Sequence, residues 1–387
     1  MKRRRQYSHP RLGRDAERLA WLAQGLVDSG SRAEDAFWEG ELRALVGKLL
    51  DGGNEEPMNQ ALDRLHEINV RAYEELADLI EAATEGGVQA DSQYLLIALP
   101  VLAWSRYTIP AKSLARDTLK ALRAQLAGHV LAEGAKLALA DYMYSPDQLP
   151  RGFLETRAMS RELGVSALAD KDFHIDAKHL PESGQYVSDV RYILGAIAVP
   201  PGKPLFRWNE TDGNREDAEK QWREQGGANL QSTLLGCGFE LVLPDAYFAA
   251  WRRADRDGRA FSLVSAVAYL QSVLDVTSGD LWAAAAPYYD QRLREWRVGF
   301  GRKDDDRVLH GVVWPLLGVE DEGADIGAEI VTILKSANLG QVVGLEQRMP
   351  LEYCEDCGAP MFPNLDGEPT HADAPEPEGE GAPVHLH

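Results

Sequence analysis

The feature that most restricts how this chain folds is a change of hydrophobic period near residue 93. Before it, from 15 to 85, apolar residues recur three and four apart, the spacing that places them on one face of an α-helix. Leu19, Leu22, Ala23, Leu26 and Val27 form the first stripe, with Asp15 at the N-cap position and Gly30 where the helix would end. Trp38, Leu42, Leu45, Val46 and Leu49 form the second, closed by Gly52-Gly53. Met58, Leu62, Leu65 and Ile68 follow Pro57, and Tyr73, Leu76, Ala77 and Ile80 run to Gly86-Gly87. Short helices joined by tight loops predict antiparallel neighbours, here two stacked hairpins.

After the change, apolar runs of strand length alternate with helical stretches. Tyr94–Trp104 is almost continuously apolar but contains Pro100, which predicts an edge strand or a broken one. Lys136–Tyr144 and Tyr192–Val199 read as strands, Leu119–Val130 and Phe153–Leu163 as helices, and Leu205–Trp208 as a short strand. A helix opened by Pro244-Asp245 is expected to stop at Gly258, with a separate helix over Leu263–Leu274. Trp296, Val298 and Phe300 alternate with Arg297 and Gly299, the pattern of a half-buried strand. Gly311 and Pro315 predict a bulge or bend in the next strand.

The mixture predicts an α+β fold: a helical N-terminal unit, then a mixed, largely antiparallel sheet body with packed helices, then a small C-terminal zinc-binding tail. The expected divisions are a basic disordered arm at 1–14, helical hairpins at 15–90, a body at 91–349 (as two modules, 91–185 and 186–349) and the tail at 350–387. The body could be a pair of small split-βαβ modules.

Chemistry is concentrated in the tail. Cys354-Glu355-Asp356-Cys357-Gly358 is a CxxC, whose thiolates reach one tetrahedral ion from a tight turn, and Gly358 suits the positive φ of such a turn. Of nine His, His371, His385 and His387 lie in the last 17 residues. Cys354, Cys357, His385 and His387 would make a Cys₂His₂ site for structural zinc. His371 is the substitute ligand, at a spacing from Cys357 near that of zinc fingers. A redox pair would open a helix after a strand, and Pro360 and Pro363 argue against one.

Elsewhere the bland readings prevail. His174 and His179 with Asp176 read as a surface loop, Asp304-Asp305-Asp306 as a polar turn, Trp251–Arg256 as a salt-bridged helix face, and Cys237 as a small buried thiol. The sequence has no phosphate-binding, dinucleotide-binding or nucleophile-elbow signature.

A net charge of −20 disfavours nucleic acid as the main partner, although Lys2, Arg3, Arg4 and Arg5 leave RNA or ribosome contact through the arm open. No stretch of about 18 apolar residues predicts a membrane span. The basic N-terminus lacks the apolar run of a secretory signal, and three Cys do not make a disulfide framework, so the cytoplasm is expected.

The stretches Pro100–Pro110, Ala140–Pro150, His310–Gly318 and Pro350–Pro363, with the closing His385-Leu386-His387, resemble a betaproteobacterial family known only as a domain of unknown function. That resemblance implies bacterial residence and an intact tail motif, with no activity to carry over. The expected role is non-enzymatic binding or regulation, with a protein partner. The alternatives are a metal-assisted hydrolase or transferase, which a polar cleft joining the tail to His174 or His310 would favour, and an RNA- or ribosome-associated factor.

Overall fold

The computed structural model describes residues 12–89, 91–318, 320 and 324–373. Most of the basic arm therefore lies outside the described residues, and so do His385 and His387. The fold is α+β, as the change of period predicts.

Four helices come first: α1 (Arg14–Asp28), α2 (Arg32–Asp51), α3 (Glu56–Ile68) and α4 (Val70–Glu85). Their stripes bury Leu19, Leu22, Leu45, Leu49, Leu65, Leu76 and Ile80 in one cluster. Ser31 caps α2 by accepting from the Glu34 N–H, and Asn69 caps α4 by accepting from the Ala72 N–H at 3.2 Å. Asp15 falls inside the first turn of α1 rather than at its cap, where its charge suits the helix dipole.

The first sheet contains β1 (Gly86–Gln89), β2 (Ser92–Trp104), β3 (Lys112–Ser113), β4 (Lys136–Tyr144), β5 (Ser188–Val199), β6 (Gly238–Leu241) and β7 (Asp245–Ala246). The order is β1-β2-β5-β4-β3, with β6 and β7 also on β2, and each pairing is antiparallel. Alternate residues of β2 enter two cores. Ile97, Leu99 and Val101 face α5 (Arg116–His129) and Trp222, at the end of α7 (Arg215–Gln221). Leu96 and Ala98 face α6 (Phe153–Leu168) and the first half of α8 (Tyr247–Leu274). A strand covered on both faces needs no polar alternation, which explains the continuous apolar run.

Pro100 does not make β2 an edge. β2 runs unbroken through it and pairs with β5 along its length. The Pro100 carbonyl accepts from the Val242 N–H at 3.0 Å, on the side away from β5. In an antiparallel strand the nitrogen of a residue points the same way as its carbonyl, here into the interval between β6 and β7, where no ladder bond is lost.

The second sheet contains β8 (Leu281–Tyr289), β9 (Leu293–Arg302), β10 (His310–Pro315), β11 (Gln341–Gly344) and β12 (Met349–Pro350). The first three form an antiparallel meander, and β11 and β12 add parallel to β8 after α9 (Ile326–Ser336). Neither sheet is a split-βαβ module. One face of the second sheet packs Ala283, Ala285, Val298, Phe300 and Trp314 against α9 and the second half of α8.

Helix α8 corrects another expectation. It continues through Gly258 for 28 residues, about 42 Å at the usual rise. Tyr247, Ala250 and Ala254 serve the first sheet, and Leu263, Ala266 and Leu270 serve the second. Burial against two sheets outweighs the roughly 1 kcal/mol that glycine costs inside a helix. The short strand expected at Leu205–Trp208 is a single β-bridge, Leu131 with Phe206, followed by a 3₁₀ turn.

Two carboxylates fasten the helical front to the body. Glu55 accepts from the Leu154 N–H at 2.9 Å and so caps α6. Glu85 accepts from the Phe248 N–H at 3.1 Å and so caps α8. Both satisfy helix N-termini that lack a cap from their own chain neighbours. Burial raises the Glu85 pKa from 4.5 to about 7, against the opposing pull of the Phe248 N–H. The folded chain therefore keeps a proton that the unfolded chain releases. Its contribution is full below pH 4.5 and lost as pH rises through about 7. Glu85→Gln keeps an acceptor for Phe248 and removes the titration. It is expected to melt a few degrees above wild type at pH 8, with the gap closing towards pH 5. An equal gap at both pH values in thermal melts would contradict this.

Candidate metal centre

The C-terminal segment is folded onto the second sheet by a buried arginine. Arg297 on β9 is fully buried, and its Nη1 donates to the Glu352 carbonyl at 2.7 Å and the Met361 carbonyl at 2.9 Å. Those carbonyls bracket the CxxC turn, so one guanidinium holds both ends of it. Nε donates to Glu295 at 2.6 Å, and the guanidinium lies 4.4 Å from the Tyr288 ring centroid and 4.9 Å from that of Tyr353. A planar cation that bonds in its plane and stacks on its faces suits this position, which an ammonium would not fill.

Between the two carbonyls the chain forms a knuckle. Tyr353 and Pro360 make an antiparallel bridge, the Cys354 N–H donates to Ala359 at 2.8 Å, and the Gly358 N–H donates to Cys354 at 2.9 Å. Gly358 has φ +74°, the left-handed geometry anticipated for it. The Cys357 and Asp356 backbone N–H groups point at the Cys354 sulfur and, with the Cys357 side chain, lower its pKa. Amides directed at a sulfur stabilise its thiolate, the form that binds metal.

A hairpin follows, β13 (Phe362–Pro363) with β14 (Pro369–Thr370), turned through Asn364 and Gly367. Phe362 is its anchor, buried with Trp282, Ala284 and Val308. It rests over Gly311, where a Cβ would lie 2.3 Å from the Phe362 ring, and Gly299 makes room in the same way for the Pro363 carbonyl. Gly311 therefore makes no bulge: β10 keeps register with β9 throughout. The glycine is a seat for the tail.

His371 comes directly after β14, and the Asp373 N–H donates to Val308 at 2.8 Å, which fixes the chain beyond it. Cys354, Cys357 and His371 consequently converge, with one ligand atom from each within 4.8 Å of the others. The Cys357 Sγ to His371 Nε2 distance is 3.2 Å. Tetrahedral zinc–sulfur and zinc–nitrogen bonds place ligand atoms roughly 3.5–3.8 Å apart, so small side-chain shifts fit a metal ion. Asp373 lies 3.8 Å from His371 Nδ1, on the side away from the thiols.

The cluster borders a cavity of about 630 Å³. Cys357, His371 and Asp373 line it, and His310, Tyr186, Ser188 and Ser262 supply its other polar side chains. His310 is buried, and its Nδ1 has no hydrogen-bond partner among the described residues. Burial lowers its pKa to about 4, which leaves the ring neutral at pH 7.

The other sequence candidates lie apart from this site. His174 is exposed and pairs with Asp141 at 2.6 Å. Asp305 is tied to Arg307 in its turn. Arg252 and Arg253 are paired with Glu81 and Glu219. Cys237 is half-buried beside β6. Arg297, His310 and Phe362 were not singled out by the sequence as site residues. Arg297 fell at an apparently solvent-facing position, and only the unusual Gly299 and Gly311 hinted that something covers that face.

Fold and site together define an α+β protein with a candidate Cys₂His metal centre on a C-terminal clasp. The chain belongs to the family described as Protein of unknown function (DUF2863), whose model matches residues 4–385. Searches of curated proteins and of solved structures found no match. Among the described residues, no helix is long and apolar enough to cross a membrane.

Arg297→Ala leaves the Glu352 and Met361 carbonyls without their buried donor. Limited proteolysis of this variant is expected to cut within 350–373 at least tenfold faster than in wild type, while the four-helix front stays intact. An unchanged cleavage rate would show that the clasp does not depend on Arg297.

Proposed function

We propose that this is a zinc-binding protein in which the metal closes the C-terminal clasp over the second sheet, and that its role is to bind a ligand or partner rather than to turn one over. The observation that carries the reading is the convergence of two thiols and an imidazole from 354, 357 and 371 on a scaffold fixed independently by Arg297 and Phe362. Sulfur and imidazole donors at tetrahedral spacing favour zinc over the oxygen-seeking magnesium and calcium. Because the hairpin is short, metal binding would supply folding energy to it. Residence in the cytoplasm would keep both thiols reduced.

The cavity between the cluster and His310 supports a second reading, a metal-assisted hydrolase or transferase. A zinc with three protein ligands keeps an open position for water or substrate. Binding remains the preferred role because the cavity lacks a paired acid and base beside the cluster: His310 is the only other imidazole lining it, and much of the remaining wall is apolar. The nucleic-acid reading draws no support from the clasp, where Glu355 and Asp356 lie between the two cysteines and Asp373 stands beside His371.

Chelation tests the structural part. Removing metal is expected to speed hydrogen exchange in peptides from 350–373 by tenfold or more, with zinc restoring protection and Cys354→Ser reproducing the loss without chelator. Peptides from α1 to α4 should not respond. Exchange in 350–373 that ignores both chelator and mutation would refute the reading.

A further inference from the structure

The cavity offers more than a wall behind the clasp. Its volume of about 630 Å³ falls within the 300–1,000 Å³ usual for small-molecule sites. Two of the three candidate metal ligands, Cys357 and His371, line it, so a metal held by Cys354, Cys357 and His371 would lie at its edge. An independent group faces the same space. His310 is more than nine-tenths buried and lines the cavity; its Nδ1 is sealed off from water-sized molecules, so contact with a ligand falls to the rest of the ring, Nε2 included. Ser188 and Ser262 are 3.3 Å apart and satisfy each other, which leaves His310 and Tyr186 as the other polar side chains away from the cluster.

Charge narrows the class of ligand. Two thiolates and a neutral imidazole around a divalent cation sum to zero, so the metal end has no excess positive charge to attract an anion. Asp373 stands beside His371 and adds repulsion for one. Val187, Ala266, Val312, Pro360 and Phe362 make much of the wall apolar. We propose that the cavity binds a small, uncharged, largely apolar molecule through a neutral oxygen or nitrogen donor that completes the metal's coordination, with a second polar group hydrogen-bonded to His310. Alcohols, carbonyl compounds and azoles carry such donors; fatty acids and phosphates do not. This rests on the zinc reading above and adds an exchangeable fourth position to it.

The experiment uses the full chain with one equivalent of Co²⁺ in place of zinc, whose visible bands report both thiolate ligation and the fourth ligand. 4-Phenylimidazole serves as the neutral probe and hexanoate as the anionic one. The proposal expects saturable band shifts with 4-phenylimidazole and binding of hexanoate at least tenfold weaker. Ser262→Trp, which fills the cavity from α8, is expected to weaken the neutral probe tenfold or more while cobalt still binds one to one. His310→Phe should leave that probe's affinity within about threefold, because 4-phenylimidazole has no second polar group, but should weaken 4-(hydroxyphenyl)imidazole towards the unsubstituted value. Tightly bound cobalt whose bands no probe moves would overturn the proposal and leave a closed structural site. Probe binding that appears only after His385→Ala/His387→Ala would overturn it too, because the chain itself would then fill the fourth position. Failure to bind cobalt at all would instead refute the underlying metal reading.

Discussion

The buried guanidinium of Arg297 is the contact on which the C-terminal third of the molecule depends. It sits in the middle of β9 with no exposed surface; Glu295 and the Tyr288 ring partner it from within the sheet, and the tail adds two carbonyls and the Tyr353 ring. Breaking a buried charge from its partners costs roughly 3–5 kcal/mol. The sheet and the clasp are therefore mutually conditional. Without residues 352–361 the Arg297 Nη1 would lose both of its carbonyl acceptors and leave the cation to Glu295 and Tyr288, and without the cation the CxxC turn would lose the contact that ties its two ends to the sheet.

Apolar contacts reinforce that dependence. Trp282 and Val308 are buried on the same face by Phe362, which occupies space left by Gly311. Burying a phenylalanine contributes about 1.5–3 kcal/mol, a modest sum for so short a hairpin. A metal ion shared by Cys354, Cys357 and His371 would add the remaining constraint, since it ties the knuckle to the strand that follows the hairpin. In this account the arginine and Phe362 set the position of the clasp, and the metal locks it. The same arrangement puts Cys357 and His371 at the border of a cavity.

The sequence was most informative where a signal is local. Helical stripes from 15 to 85, the strand at Lys136–Tyr144 and the glycine-ended CxxC turn each depend on neighbours in sequence, and each is present in the structure. It misled where distant elements decide. Pro100 suggested an edge because nothing local shows that β6 and β7 leave an interval opposite it. Gly258 suggested a helix end because the two sheets that hold α8 straight are remote in sequence. Arg297 looked solvent-facing because alternation cannot reveal a cover supplied more than fifty residues later. The candidate cluster was half visible for the same reason. Cys354 and Cys357 announce themselves by spacing, whereas His371 owes its place to a hairpin; His385 and His387 lie outside the described residues.

The most direct test of the account is X-ray absorption at the zinc edge on the full chain as purified. The account predicts about one zinc per chain, with two sulfur neighbours at about 2.3 Å and two nitrogen or oxygen neighbours at about 2.0–2.1 Å, and loss of the sulfur shell in Cys354→Ser/Cys357→Ser. Protein without stoichiometric zinc, or zinc surrounded only by nitrogen and oxygen, would contradict it.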